Sequence, residues 1–261
     1  MRHSTSPSSP WLHPVAFPPL RPREIHVWRI PLMARRHSMP EMWKVLSEDE
    51  VTRAKRFLLA QHRDRFVVGR ATLRRLLARY LLVAPEAIVF RYGELGKPFV
   101  ETHLPNGHGC FFNFTNSSDL ALLAVNQVGE LGVDVEEIRD MTNMDSLASR
   151  FFADAEVELL ARIDDDRLRQ LAFFRVWTRK EAFLKAIGKG LTFGLERVQV
   201  SLENIARPTI VAIGDDPLAA TDWSLAHLEP LSGYVGAVAW NHGDFELRQF
   251  DCSHLGDTPS L

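Results

Sequence analysis

The chain has 261 residues, 46% of them hydrophobic and 25% charged, the composition of an ordinary globular protein long enough for one large domain or two coupled halves. No apolar run approaches the roughly 18–20 residues that a spanning helix needs, and the two cysteines, Cys110 and Cys252, build neither a disulfide framework nor a metal site. These features point to the reducing cytoplasm and exclude a membrane partner. The net charge of −2 is unevenly spread: residues 1–80 hold 16 Lys and Arg against 6 Asp and Glu, a net of +10, and the remainder carries a net of −12. That polarity suits a basic half that meets polyanions and an acidic half that holds a metal. The basic residues are not interleaved with aromatic stacking positions, which speaks against nucleic acid.

Residues 1–22 carry six prolines between Pro7 and Pro22 and no apolar core of a signal peptide, so they are expected to form a flexible tail, with Trp11 or Phe17 resting on the body. Residues 24–30 alternate as a first strand. Ser47, followed by three acids, caps a helix that runs toward Phe57. A longer helix is predicted over 61–80, with Phe66, Val67, Leu73, Leu76, Leu77 and Tyr80 as its apolar stripe and six arginines on the other face. Residues 93–98 form a turn. Strands follow at 111–114 and 120–125, and Asn126–Gly129 turns the chain into 131–137, so 120–125 and 131–137 are expected to pair as a mid-chain hairpin. Asp154 caps a helix through Leu160, and Asp166 opens a long helix that ends at Gly188. Strands at 199–202, 209–213, 224–228, 234–240 and 245–250 close the chain. Helices and strands without strict alternation indicate an α+β fold.

Two segments carry the chemistry. In 131–137, Asp134 and Glu136 stand at i and i+2 on a strand, about 6.5–7 Å apart at Cα and on one side, a spacing that lets both converge on one cation. In 177–191, Glu181 and Lys185 lie one helical turn apart on one face, ahead of the Gly188–Gly190 exit. Alone, the first pair also fits an exposed strand face. Alone, the second also fits a surface ion pair contributing about 0.2–0.5 kcal/mol. Together they make an oxygen-rich, anionic set suited to Mg²⁺ and substrate phosphates, with no histidine or cysteine to favour zinc. The ten histidines are scattered without ligand spacing.

Gly132-Val-Asp-Val-Glu136 and Trp177-Thr-Arg-Lys-Glu-Ala-Phe-Leu-Lys185, followed by Gly188-Lys-Gly-Leu191, resemble the two signature motifs of Sfp-type 4′-phosphopantetheinyl transferases. Gly96-Lys-Pro98 is similar to that family's coenzyme A loop, and Phe112-Asn-Phe-Thr-Asn-Ser117 to its Phe-Asn-x-Ser-His-Ser element. Arg65 through Arg74 resembles its basic amino-terminal helix. The resemblance covers about residues 24–240. It departs at Asn116, where the family usually has histidine, and at Glu50, where members can carry a phosphate-binding lysine, a loss that Arg53 and Arg56 can offset.

The resemblance implies transfer of the 4′-phosphopantetheine arm of coenzyme A to a serine of an acyl or peptidyl carrier protein, with 3′,5′-adenosine bisphosphate as the second product. By carry-over, Asp134, Glu136 and Glu181 hold Mg²⁺, which Mn²⁺ can replace. Glu181 and Lys185 are the catalytic pair, Glu181 as base, directly or through a metal-bound water, and Lys185 on the phosphates. Arg53, Arg65, Lys97, Thr115, Asn116 and Lys185 contact coenzyme A. The implied fold is two similar α+β halves related by a pseudo-twofold axis, residues 23–130 and 131–250, with a carboxy-terminal tail at 251–261, in a monomer. Two alternatives stay open. One is a metal-dependent nuclease, whose signature sets glutamate and lysine two apart on a strand. The other is a non-catalytic relative that binds coenzyme A or the carrier.

Overall fold

The alternating residues after the proline-rich start form β1 (Glu24–Pro31), buried along nearly its whole length. It begins a computed structural model that describes residues 10–33, 38–202, 208–214, 216, 218–241 and 243–254; the expectations for residues 1–9 and 255–261 fall outside it. The chain divides into two units. One comprises Trp11–Gly93, Pro98–Val128 and the segment from Glu246; the other is chiefly Glu94–Lys97 and Gly129–Phe245.

In the first unit β1 is followed by α1 (Met39–Lys44), α2 (Glu48–Lys55) and α3 (Ala60–Leu81), then the short pair β2 (Arg91–Tyr92) and β3 (Pro98–Phe99). Next come β4 (Phe111–Ser117) and β5 (Leu120–Asn126), joined by a tight turn in which Ser118 takes a left-handed conformation, φ 49°. Val68, Leu73, Leu76 and Leu77 of α3 pack on Trp28, Ile30, Phe112, Leu123 and Val125 of the strands. Each such side chain, fully buried, contributes about 1.5–3 kcal/mol. From Trp11 the stretch rests on the first unit, as expected for Trp11 and Phe17. Leu12 bridges to Phe250, Trp11 lies under the Arg29 guanidinium, and Phe17 stacks on Trp28 with ring centroids 5.4 Å apart.

In the second unit β6 (Leu131–Glu137) leads to α4 (Met144–Phe151), α5 (Asp154–Ala161) and α6 (Asp166–Ile187). The strands β7 (Val198–Val200), β8 (Ile210–Ile213), β9 (Trp223–Leu228) and β10 (Tyr234–Asn241) follow. The antiparallel sheet β6–β10–β9 carries α6 on one face, where Phe173, Val176, Phe183 and Leu184 meet Val235, Ala237 and Ala239. Asp166 opens α6 as expected, and Asp165 caps it, its Oδ1 accepting the Leu168 N–H at 2.9 Å. The cap of α5 is Ala153, whose N–H donates to Glu156, rather than Asp154. Among the described residues no helix is long and apolar enough to cross a membrane.

Two expectations about strand pairing are corrected. The mid-chain hairpin is absent, because β5 is a central strand already paired with β1 on one side and β4 on the other. With both edges taken and every residue buried, β5 has no edge for β6, which pairs with β10 instead. The last strand, β11 (Glu246–Asp251), does not close the second unit; it lies parallel to β1 and gives the first unit's sheet the order β11–β1–β5–β4.

Candidate functional site

Residues paired directly across an antiparallel ladder share a face of the sheet. Gly132, Asp134 and Glu136 of β6 stand opposite Ala239, Ala237 and Val235, the same residues that pack against α6. Both acids therefore face the helix. The exposed-face alternative fails, since Asp134 is only 3% exposed and Val133 and Val135 on the opposite face are also buried.

Gly132 makes this arrangement possible. A Cβ there would overlap the main chain of α6 at the Ala182 carbonyl oxygen and the Ala186 nitrogen. With only hydrogen at this position the helix lies directly on the strand, and Lys185 reaches Asp134. Their Nζ to Oδ1 separation is 2.5 Å. Glu181, one turn earlier, is half-buried beside them. Burial raises its carboxyl above the ordinary value, and so does the charge of Asp134. Lys185 works in the opposite direction, and Glu136 adds to the rise. Those contributions show that the three carboxylates and one ammonium share one electrostatic neighbourhood. Glu136 also meets Arg139, at 3.4 Å.

Lys97 joins this cluster from the Gly96–Lys97 turn. Its ammonium donates to the Ala186 carbonyl at 2.8 Å and the Leu131 carbonyl at 3.2 Å, and pairs with Glu130 at 3.1 Å. Ala186 is in the last turn of α6, whose C-cap is Gly188 in the left-handed conformation, so Lys97 satisfies a carbonyl that the helix end leaves without a partner. Burial lowers the pKa of Lys97, against the pull of Glu130.

The other residues expected to contact coenzyme A belong to the first unit, each with contacts of its own. Arg53 is exposed on α2 with its guanidinium 5.2 Å from the Phe66 ring centroid. Arg65 pairs with Asp119 at 2.6 Å. Thr115 is buried and Asn116 exposed; as neighbours on β4 they face opposite sides. Glu50 is buried and accepts Arg74 at 2.6 Å and Arg70 at 2.8 Å. Burial opposes its charge, yet the Arg74 hydrogen bond and the Arg70 charge hold its carboxyl below the ordinary value.

The donor set fits a hard divalent cation. It offers only carboxylate oxygens, and its three carboxylates with one ammonium leave negative charge to neutralise. The carboxylates are not gathered into a metal shell: among the described residues no group of three or more His, Cys, Asp or Glu is arranged to hold an ion. The Lys185 ammonium rests against Asp134 instead. Glutamate and lysine one turn apart on a helix do not form the strand-borne pair of the nuclease alternative.

Sequence reasoning missed three parts of this neighbourhood: the close approach at Gly132, the Lys97 cap, and a buried pair between Lys180 and Glu156. The Glu156 signal was present, as an acid at the third position of α5.

Two family models match the chain. That of the 4′-phosphopantetheinyl transferase superfamily covers residues 130–239, and that of the 4′-phosphopantetheinyl transferase amino-terminal region covers 33–128. The chain is 41% identical to the 4′-phosphopantetheinyl transferase HetI of Nostoc sp. over 83% of its own length and 87% of that protein's. It is 34% identical to a putative 4′-phosphopantetheinyl transferase of Synechocystis sp., over 88% and 91% of the two chains. It is 29% identical to the 4′-phosphopantetheinyl transferase psf-1 of Bacillus pumilus, over 67% and 72%.

Proposed function

The chain belongs to the 4′-phosphopantetheinyl transferase family, and from that premise we propose that the Asp134, Glu136, Glu181 and Lys185 cluster is the place of transfer. The enzyme moves the 4′-phosphopantetheine arm of coenzyme A to a serine of a carrier protein. The serine oxygen forms a new bond to the β-phosphorus of the coenzyme A pyrophosphate. The bond from that phosphorus to the bridging oxygen breaks, and 3′,5′-adenosine bisphosphate leaves.

The observation that carries the site is the Lys185–Asp134 contact of 2.5 Å, with Glu181 one turn earlier on the same helix. Lys185 presents a positive point charge to the pyrophosphate. Glu181 takes the serine proton from its place one helical turn before Lys185. Asp134, Glu136 and Glu181 would hold Mg²⁺, or Mn²⁺ in its place, which when bound neutralises charge on the pyrophosphate. Arg53, Arg65, Lys97 and Asn116 would contact the nucleotide and its 3′-phosphate, whereas Thr115 faces the other side of β4. The two free cysteines suit a reducing cytoplasm, and the chain acts as a monomer on acyl or peptidyl carriers.

The test is incubation with coenzyme A, Mg²⁺ and a panel of apo carrier proteins, followed by intact mass measurement. At least one carrier gains the mass of phosphopantetheine. A panel that never gains it, while a known transferase succeeds in parallel, overturns the reading.

A further inference from the structure

Lys180 immediately precedes Glu181 in α6 but takes no part in the cluster. Its side chain is wholly buried, with Nζ 2.5 Å from Glu156 Oε2. The same ammonium donates to the Leu195 carbonyl at 3.0 Å and lies 5.1 Å from the Phe152 ring centroid. Glu156 is 1% exposed and fully engaged: Oε2 also accepts the Ala153 N–H at 2.8 Å, and Oε1 the Val200 N–H at 2.7 Å. One ion pair thus ties α6 to the start of α5, the segment before β7 and β7 itself.

Burial opposes the charge of both groups, raising the Glu156 carboxyl and lowering the Lys180 ammonium, so each depends on the other to stay ionised. Such a pair is weak evidence for stability, because apolar side chains of similar volume often serve the fold as well or better. What the pair supplies is direction. Successive residues on a helix point about 100° apart, so fixing where Lys180 points fixes where Glu181 points.

We propose that Lys180 and Glu156 are positioning residues that set the roll of α6 about its axis, so that Glu181 and Lys185 face Asp134 and Glu136. The proposal rests on the site reading above. It is tested in the full chain with the double variant Lys180→Met/Glu156→Leu, which removes both charges together. Thermal melting is followed beside steady-state transfer from coenzyme A to an apo acyl carrier protein. The variant melts cooperatively, and its kcat falls on the order of 100-fold, as misplaced catalytic groups do, a larger change than in its KM for coenzyme A. A folded double variant with wild-type kcat overturns the proposal. If it does not fold, Lys180→Arg is measured, with a lowered kcat expected; wild-type kcat there, or failure of both to fold, also overturns it. Glu181→Ala runs alongside. Full transfer by that variant removes the site reading itself, whereas its inactivity beside an active double variant overturns the positioning role alone.

Discussion

Asn116 is exposed on β4, at the position where related motifs usually place histidine. Its amide offers a neutral hydrogen bond, whereas an imidazolium would add charge to the contact proposed with the 3′-phosphate. Asn116→His should therefore tighten coenzyme A binding, by up to about tenfold for about 1.4 kcal/mol of added interaction. Calorimetric titration checks this, and an unchanged or weaker Kd contradicts the assigned phosphate contact. At this scale the sequence was informative where spacing alone places a side chain. Asp134 with Glu136 follows from the two-residue period of a strand, and Glu181 with Lys185 from the turn of a helix. Lys97 and Lys180 were not legible in the same way. Their partners are main-chain carbonyls of Ala186 and Leu195, and no pattern of residue types announces a carbonyl.

Between elements, the site depends on how closely α6 lies on β6. Gly132 is the point of contact, and the atoms that a Cβ would strike are helix backbone, which cannot turn aside as a flexible side chain can. Gly132→Ala should cost about 3 kcal/mol, the upper part of the range for overpacked cores. Urea unfolding measures it, and a loss within about 0.5 kcal/mol, typical of a tolerant surface position, contradicts the account. Most individual elements could be read from periodicity and caps, as α3 and α6 show, each of 22 residues. Strand partners could not. An apolar run such as Leu120–Val125 identifies a buried strand, but which neighbours complete it depends on contacts distant in sequence, and these placed β1 and β4 beside β5.

Each of the two units buries a histidine in its neutral form, and this links the stability of the whole molecule to pH. In the first unit Trp28 Nε1 donates to the Tyr80 hydroxyl at 2.7 Å, which leaves that hydroxyl to donate to His26 Nδ1 at 2.8 Å, and His26 Nε2 to donate to Glu24 at 3.0 Å. Burial pushes His26 down to about 4, although Glu24 pulls it upward. In the second unit burial, with the charges of Arg179 and Arg175, pushes His227 down to about 3. Both folded values lie below the ordinary 6.5, so the unfolded chain binds more protons in between. Stability is then complete above about pH 6.5 and falls as pH drops toward 4, by about 1.4 kcal/mol per pH unit for each histidine. Denaturant melts between pH 7 and 4 should show this loss, with a shallower slope in His26→Asn. A stability that stays level across that window contradicts the buried neutral imidazoles.

The central claim is that α6 and β6 of this family member form the place of transfer, and Glu181 tests it most directly. Its half-buried carboxyl stands among Asp134, Glu136 and Lys185, and its removal leaves the apolar contacts of α6 in place. The measurement is the intact mass of an apo carrier protein after incubation with coenzyme A, Mg²⁺ and the Glu181→Ala variant, beside the wild-type chain. The account predicts a carrier that gains the phosphopantetheine mass with the wild-type chain and gains none with a variant that still melts cooperatively. A carrier fully modified by Glu181→Ala at the wild-type rate would contradict it.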